Sequence, residues 1–246
     1  MGSRNIPLHV MRALWAKSGG RCAICKTEVV MFPKDDDPAI IGEMAHIEGL
    51  KPGSPRYNPD MTNSERNSYG NLIVLCPTCH TKIDKDPNFY TVDKLKQIKR
   101  EHEKWVEERL KISMTKVTFA ELDVITKHLI SVPLYQPKGA LTAVPPKEKM
   151  KRNNLSEEVG NLIAMGMLGV NQVRDYLNRN PDPAFAERLR EGFVKKYVEL
   201  RDKGLNGDEL FYELLGFASN GSNDFSIRAA GLMVLTYFFE ICEVFE

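Results

Sequence analysis

Cys22-Ala-Ile-Cys25 and Cys76-Pro-Thr-Cys79-His80 are the two stretches that decide how this chain is read. Two C-x-x-C pairs at this separation suit one tetrahedral Zn²⁺, each pair supplying two thiolates. Such a closed site has no open position. It is therefore predicted to be structural and to contribute folding free energy to a small, loop-rich module. Between the pairs lies Glu43-Met44-Ala45-His46-Ile47, and directly before the second pair lies Gly70-Asn71-Leu72-Ile73-Val74-Leu75.

Working outward, Ile6 to Lys17 reads as a short helix with Pro7 near its start, ended by Ser18-Gly19-Gly20. Residues 28–32 and 40–47 are short apolar stretches separated by Pro33-Lys34-Asp35-Asp36-Asp37-Pro38, which predicts a hairpin. Residues 49–70 are rich in Pro, Gly, Asn and Ser and read as a loop. Leu72–Leu75 is a short apolar stretch that leads into the second cysteine pair. Thr78 or Cys79 then opens a short helix that carries His80 and Asp84. A long amphipathic helix is predicted from Thr91 to about Lys111, with Thr91 as its cap.

Beyond it, Phe119 to Ser131 reads as helical. Residues 132–152 hold four prolines and the basic cluster Lys147, Lys149, Lys151 and Arg152, and are taken as a linker or exposed loop. Helical stretches follow at roughly 155–178, 183–203, 207–218 and 224–246, the last strongly apolar. The predicted class is α+β. A zinc-bearing module over residues 1–116 precedes an all-helical association or regulatory domain over 117–246.

Composition sets the frame. The chain has 246 residues, 42% hydrophobic and 27% charged, as in a soluble globular protein. No apolar run is long enough to span a membrane, and no secretion signal is apparent. Four of the five cysteines fall in C-x-x-C pairs, which suits a reducing cytoplasm better than a disulfide framework. Cys242, alone in the last apolar stretch, reads as a core residue. Net charge is only +1, so nothing in the overall balance marks a nucleic-acid protein. Locally, Arg21, Lys51, Arg56, Arg66 and Lys82 flank the motif. They are the candidate phosphate contacts, set against the plain alternative of solvated surface.

The histidines carry the chemistry. Phosphodiester hydrolysis needs a water deprotonated in line with the leaving oxygen, and a neutral imidazole such as His46 suits that role. A hard divalent ion at His80 would polarise the scissile phosphate. Asp84, at i+4 on the same helical face, can reach the same ion. Asn71 offers an amide able to orient His46.

On these residues, Arg21-Cys-Ala-Ile-Cys25, Glu43-Met-Ala-His-Ile47, Asn71-Leu-Ile-Val-Leu-Cys76 and Cys76-Pro-Thr-Cys-His80, the region 20–84 resembles the HNH endonuclease superfamily. That resemblance implies a ββα-metal core pinching one catalytic divalent ion such as Mg²⁺. It implies His46 as general base, Asn71 as orienting residue and His80 as metal ligand, with DNA as substrate. Many family members carry Asp directly before the base histidine, where this chain has Ala45. The second ligand then falls to Asp84 or Glu43. The C-terminal region resembles the docking domains of effectors in ABC-three-component anti-phage systems. This implies an ABC-type ATPase partner. The strongly apolar last helix, either central to its bundle or buried against another chain, gives a homo-oligomer as the alternative. Septu-type HNH subunits are the neighbouring resemblance. Two other readings compete: a catalytically silent zinc module that binds nucleic acid or protein, and an RNA nuclease.

Overall fold

The first helix, α1 (Leu8–Ser18), ends because Gly19 adopts φ 62°, a left-handed conformation that glycine takes without a Cβ clash. The reversal delivers the chain into the first cysteine pair. In this computed structural model, residues 5–31, 39–130 and 146–241 are described. The chain divides into two compact units, 1–108 and 109–246.

In the first unit, Cys22 N–H donates to Thr27 O and Lys26 N–H to Cys22 O, which closes the knuckle. A two-residue pairing follows, β1 (Val30–Met31) with β2 (Ala39–Ile40). The expected hairpin of 28–32 with 40–47 therefore holds only at its near end. The Pro33–Pro38 connection lies outside the described residues. Ile41 and Gly42 both donate to Val29 O, and beyond that point the chain leaves its first partner. The next strand, β3 (Glu43–His46), pairs antiparallel with a strand much further along the chain, in the register Glu43↔Leu75 to His46↔Leu72.

The intervening loop has more structure than its composition suggests. It contains α2 (Asn63–Arg66), closed by a capping box between Thr62 and Glu65, and a 3₁₀ turn at Tyr69–Asn71. The partner strand is β4 (Leu72–Leu75), buried at all four positions. Ala23 N–H donates to Val74 O at 2.9 Å, which ties the first knuckle to this strand.

Helix α3 (Pro77–Lys85) begins one residue before the expected start. Cys76 is its N-cap, the Cys76 Sγ accepts from Cys79 N–H, and Pro77 fills the first helical position, where no N–H is needed. Helix α4 (Val92–Met114) starts where Thr91 Oγ1 accepts from Lys94 N–H, as the sequence predicts. Ile6, Val10, Leu14, Ile47, the β4 side chains, Ile83 and Leu95 form the core of this unit.

The second unit is helical throughout its described residues: α5 (Phe119–Ile130), α6 (Pro146–Arg152), α7 (Glu157–Met167), α8 (Val170–Asn178), α9 (Phe185–Asp202), α10 (Gly207–Ala218) and α11 (Phe225–Ile241). The predicted helix over 155–178 is broken at Leu168–Gly169 into two. Helix α11 is buried continuously from Ala229 to Phe239 and packs against α5, α7, α8 and α10. That explains its apolar circumference, because a helix central to a bundle has no solvent face. A Cβ on Gly166 of α7 would stand 3.0 Å from Leu232 O and closer still to Thr236 Oγ1, so the two backbones meet closely there.

One correction concerns the basic stretch before α7. Lys149, expected in an exposed loop, is fully buried on α6, and its Nζ donates to Phe239 O at 2.9 Å. A fully buried ammonium needs such a fixed acceptor, and the α11 carbonyl supplies it. Residues 131–145 and Cys242 lie outside the described residues.

Candidate nuclease site

The four predicted cysteines come together. Their Sγ atoms all lie within 4.8 Å of one another, and Cys25 Sγ is 3.7 Å from Cys76 Sγ. Thiolates about 2.3 Å from a tetrahedral zinc stand roughly 3.8 Å apart, so the donor set fits a structural Zn²⁺. Among the described residues it is the one cluster of three or more potential ligands so placed.

Cys22 and Cys79 are buried, and Cys25 is exposed. Burial pushes the Cys22 and Cys79 thiols up. Burial acts the same way on Cys25. There, however, hydrogen bonds from Thr27 and the neighbouring sulfurs outweigh it, and the thiol is lowered to about 6. Lys26, held at φ 63°, places its Nζ 2.8 Å from Ala23 O and 2.9 Å from His102 Nδ1. It brings a cation beside a cluster that is negative once its thiols ionise.

On β3, His46 is half-buried and its Nε2 stands 3.2 Å from Asn67 Oδ1. Asn67 is 2% exposed, and its Nδ2 donates to Asn63 O at 3.1 Å. A carbonyl can only accept, so that bond orients the amide and turns Oδ1 toward the histidine. With the amide so turned, a neutral His46 donates to it through Nε2–H.

Asn71 acts elsewhere. Its Oδ1 accepts from Glu48 N–H at 2.8 Å, and its Nδ2 donates to Glu48 O and Arg66 O. It fixes the backbone just beyond His46. Sequence reasoning missed Asn67 as the amide meeting the histidine. The Thr62-x-x-Glu65 capping spacing carried the signal, since it starts the short helix whose C-cap is Asn67.

On α3, His80 lies between two carboxylates. Its Nδ1 is bonded to Glu43 Oε2, and its Nε2 is 3.6 Å from Asp84 Oδ2. Both residues named as candidate second ligands are thus at His80, one on each ring nitrogen. Ala45 is fully buried and, two residues from Glu43 on β3, lies on the same face of the strand, where its methyl group offers no ligand.

The five candidate phosphate contacts separate. Lys51 and Lys82 are exposed. Arg21 bonds Lys26 O and Glu28. The Arg56 side chain is 5% exposed and donates to Ile47 O, Ile83 O and Asp84 Oδ1. Arg66 is 4% exposed and donates to Gly49 O, Met61 O and Asn58 O. The last two hold the loop together and are not solvated surface cations, because buried guanidinium donors must be matched by fixed acceptors. An open cleft of about 510 Å³ beside Asn71 carries Lys96, Lys99 and Arg100. Glu48, Glu65 and Glu103 face them in the same lining, so the cleft is not a one-signed phosphate groove.

The antiparallel β3–β4 pair, α3 leading from its end and the four-thiolate cluster bracing both define a ββα-metal module. The family description "HNH endonuclease" matches residues 22–86. Residues 120–246, more than half of the chain, match C-terminal domain 10 of the ABC-three component (ABC-3C) systems, and the chain belongs to that family. A domain of this family implies partnership with other components of such a system. No curated protein matches the chain. No helix among the described residues is long and apolar enough to cross a membrane.

Proposed function

We propose that this chain is a metal-dependent endonuclease that hydrolyses DNA phosphodiester bonds, acting in the cytoplasm as the nuclease effector of an ABC-3C defence system. In this reading residues 1–116 carry the chemistry. Residues 117–246 dock an ABC-type ATPase partner or a second copy. The observation that supports it most is the pairing of an oriented histidine on β3 with a histidine–carboxylate pair on α3, two elements in contact within one ββα unit.

His46 is the general base. The Asn67 amide holds its ring, and the neutral imidazole takes the proton of the attacking water. His80 Nε2 and Asp84 Oδ2 would hold the divalent ion, Mg²⁺ in the simplest case. When bound, that ion supplies Lewis-acid polarisation of the phosphate and charge neutralisation at the leaving oxygen. Asn71 keeps the backbone after His46 in place, and the four thiolates hold structural zinc with no position open to substrate. Lys51 and Lys82 are the exposed cations available to the DNA backbone.

A plasmid-nicking assay on the zinc-loaded protein tests this. Nicking should require Mg²⁺, stop with a chelator that spares the zinc, and disappear in His46→Ala. The same assay on RNA of matching sequence decides the substrate, and faster RNA cleavage would replace DNA in this reading. No cleavage of either polymer, with and without the ATPase component and ATP, would leave a silent zinc module.

A further inference from the structure

We propose that Glu43 is a positioning residue, and not a metal ligand: its carboxylate accepts the Nδ1–H of His80 and so fixes the ring with Nε2 facing Asp84. The inference rests on the metal-binding reading of His80 and Asp84 given above, and it assigns the two carboxylates at His80 different roles.

The argument starts from the two faces of one imidazole. Glu43 Oε2 occupies Nδ1, and Asp84 Oδ2 stands 3.6 Å from Nε2. A neutral histidine carries one N–H, and a carboxylate favours it on the nitrogen it touches. The proton therefore sits on Nδ1, and the lone pair sits on Nε2. A metal-ligating histidine ordinarily donates its other ring N–H to a carboxylate, which fixes both tautomer and ring plane.

Asp84 is oriented from its far side in the same way. Arg56 Nη2 bonds Asp84 Oδ1 at 2.9 Å, so Oδ2 is the oxygen left toward His80. The Nε2–Oδ2 separation exceeds a hydrogen bond and can admit one ion between the two atoms. No such gap exists at Nδ1, where Glu43 is in direct contact with the ring. Glu43 is 45% exposed at its side chain and lies at the end of β3, so its replacement removes little packing.

The test is Mn²⁺ affinity, measured by titration calorimetry on the full-length, zinc-loaded protein. Glu43→Ala should weaken Mn²⁺ binding by about 10–100-fold. Glu43→Gln should recover most of that loss, because an amide oxygen still accepts the Nδ1–H. His80→Ala should abolish the site. Zinc content and melting temperature should match wild type in both Glu43 variants. Wild-type Mn²⁺ affinity in Glu43→Ala, with loss in His80→Ala, overturns the positioning role alone. So does a Glu43→Gln variant that falls as far as His80→Ala, since Glu43 would then be a ligand. A wild-type protein that takes up no second ion, or a His80→Ala variant that binds it normally, overturns the metal reading as well.

Discussion

Replacing Arg56 by methionine separates a scaffold arginine from a phosphate-binding one, because the two roles predict opposite results. The guanidinium makes three hydrogen bonds: to Ile47 O at 2.8 Å, to Ile83 O at 2.6 Å and to Asp84 Oδ1 at 2.9 Å. The bond to Asp84 counts for little, since that carboxylate is 43% exposed and water can replace the arginine. The two carbonyls count for more. Ile83 O lies in the last turn of α3, and the residue four positions on is Pro87, which has no N–H to offer. Arg56 supplies the missing donor. Ile47 follows the histidine of β3, and its side chain is fully buried.

A charge-assisted hydrogen bond contributes about 1.5–3 kcal/mol, and an unsatisfied buried carbonyl costs about 1–3 kcal/mol. Methionine keeps much of the apolar stem, so the expected loss is about 3 kcal/mol. For a unit of roughly 100 residues that lowers the melting temperature by about 12–24 °C. Calorimetry on the zinc-loaded protein should show this in one transition. DNA binding, titrated against salt without divalent metal, should keep its wild-type slope in whatever fraction remains folded. An unchanged melting temperature, together with a log–log salt slope shallower by about one, would refute the reasoning and return Arg56 to the phosphate contacts.

His46→Ala should lower the cleavage rate by about 10²–10⁴-fold with zinc retained, and Asn67→Leu by about 10–100-fold, both read in the nicking assay. Wild-type cleavage by Asn67→Leu would mean that the tautomer is set by another group. Cys79→Ser or Cys22→Ser opens a site that contributes on the order of 10 kcal/mol to folding, so insoluble or zinc-free protein is expected. Elemental analysis finding one zinc per soluble chain would contradict the four-thiolate site. His102 is lowered to about 4 by burial and by the Lys26 ammonium beside it, and it bonds Ser18 O. A histidine kept neutral in the fold stabilises most above its unfolded value near 6.5. That stability, about 3 kcal/mol, should drain away as pH falls from about 6.5 to about 4. His102→Gln should flatten this part of the melting-temperature profile, and an unaltered acid slope in that variant would sink the assignment.

What could be read in the chain was whatever depends on spacing within one element. Two C-x-x-C pairs specify a metal cluster because each pair is a local turn presenting two sulfurs. His80 and Asp84 share a face because i and i+4 do so on any helix. The helices of the second unit follow from apolar periodicity, while the apolar circumference of α11 left open a helix central to its bundle or one buried against another chain, and the packing of α5, α7, α8 and α10 around it shows the central place. Tertiary structure decided what lies between elements. It paired Glu43–His46 with Leu72–Leu75 and not with the neighbouring apolar stretch, since strand pairing is settled by burial of both faces and not by proximity in sequence. Tertiary structure also put Asn67 against His46, left Asn71 to the backbone, and buried Arg56, Arg66 and Lys149. A polar side chain carries no mark in sequence of which distant carbonyl awaits it. Only the folded path of the loop and of α11 places those acceptors where solvent is excluded and a cation is required.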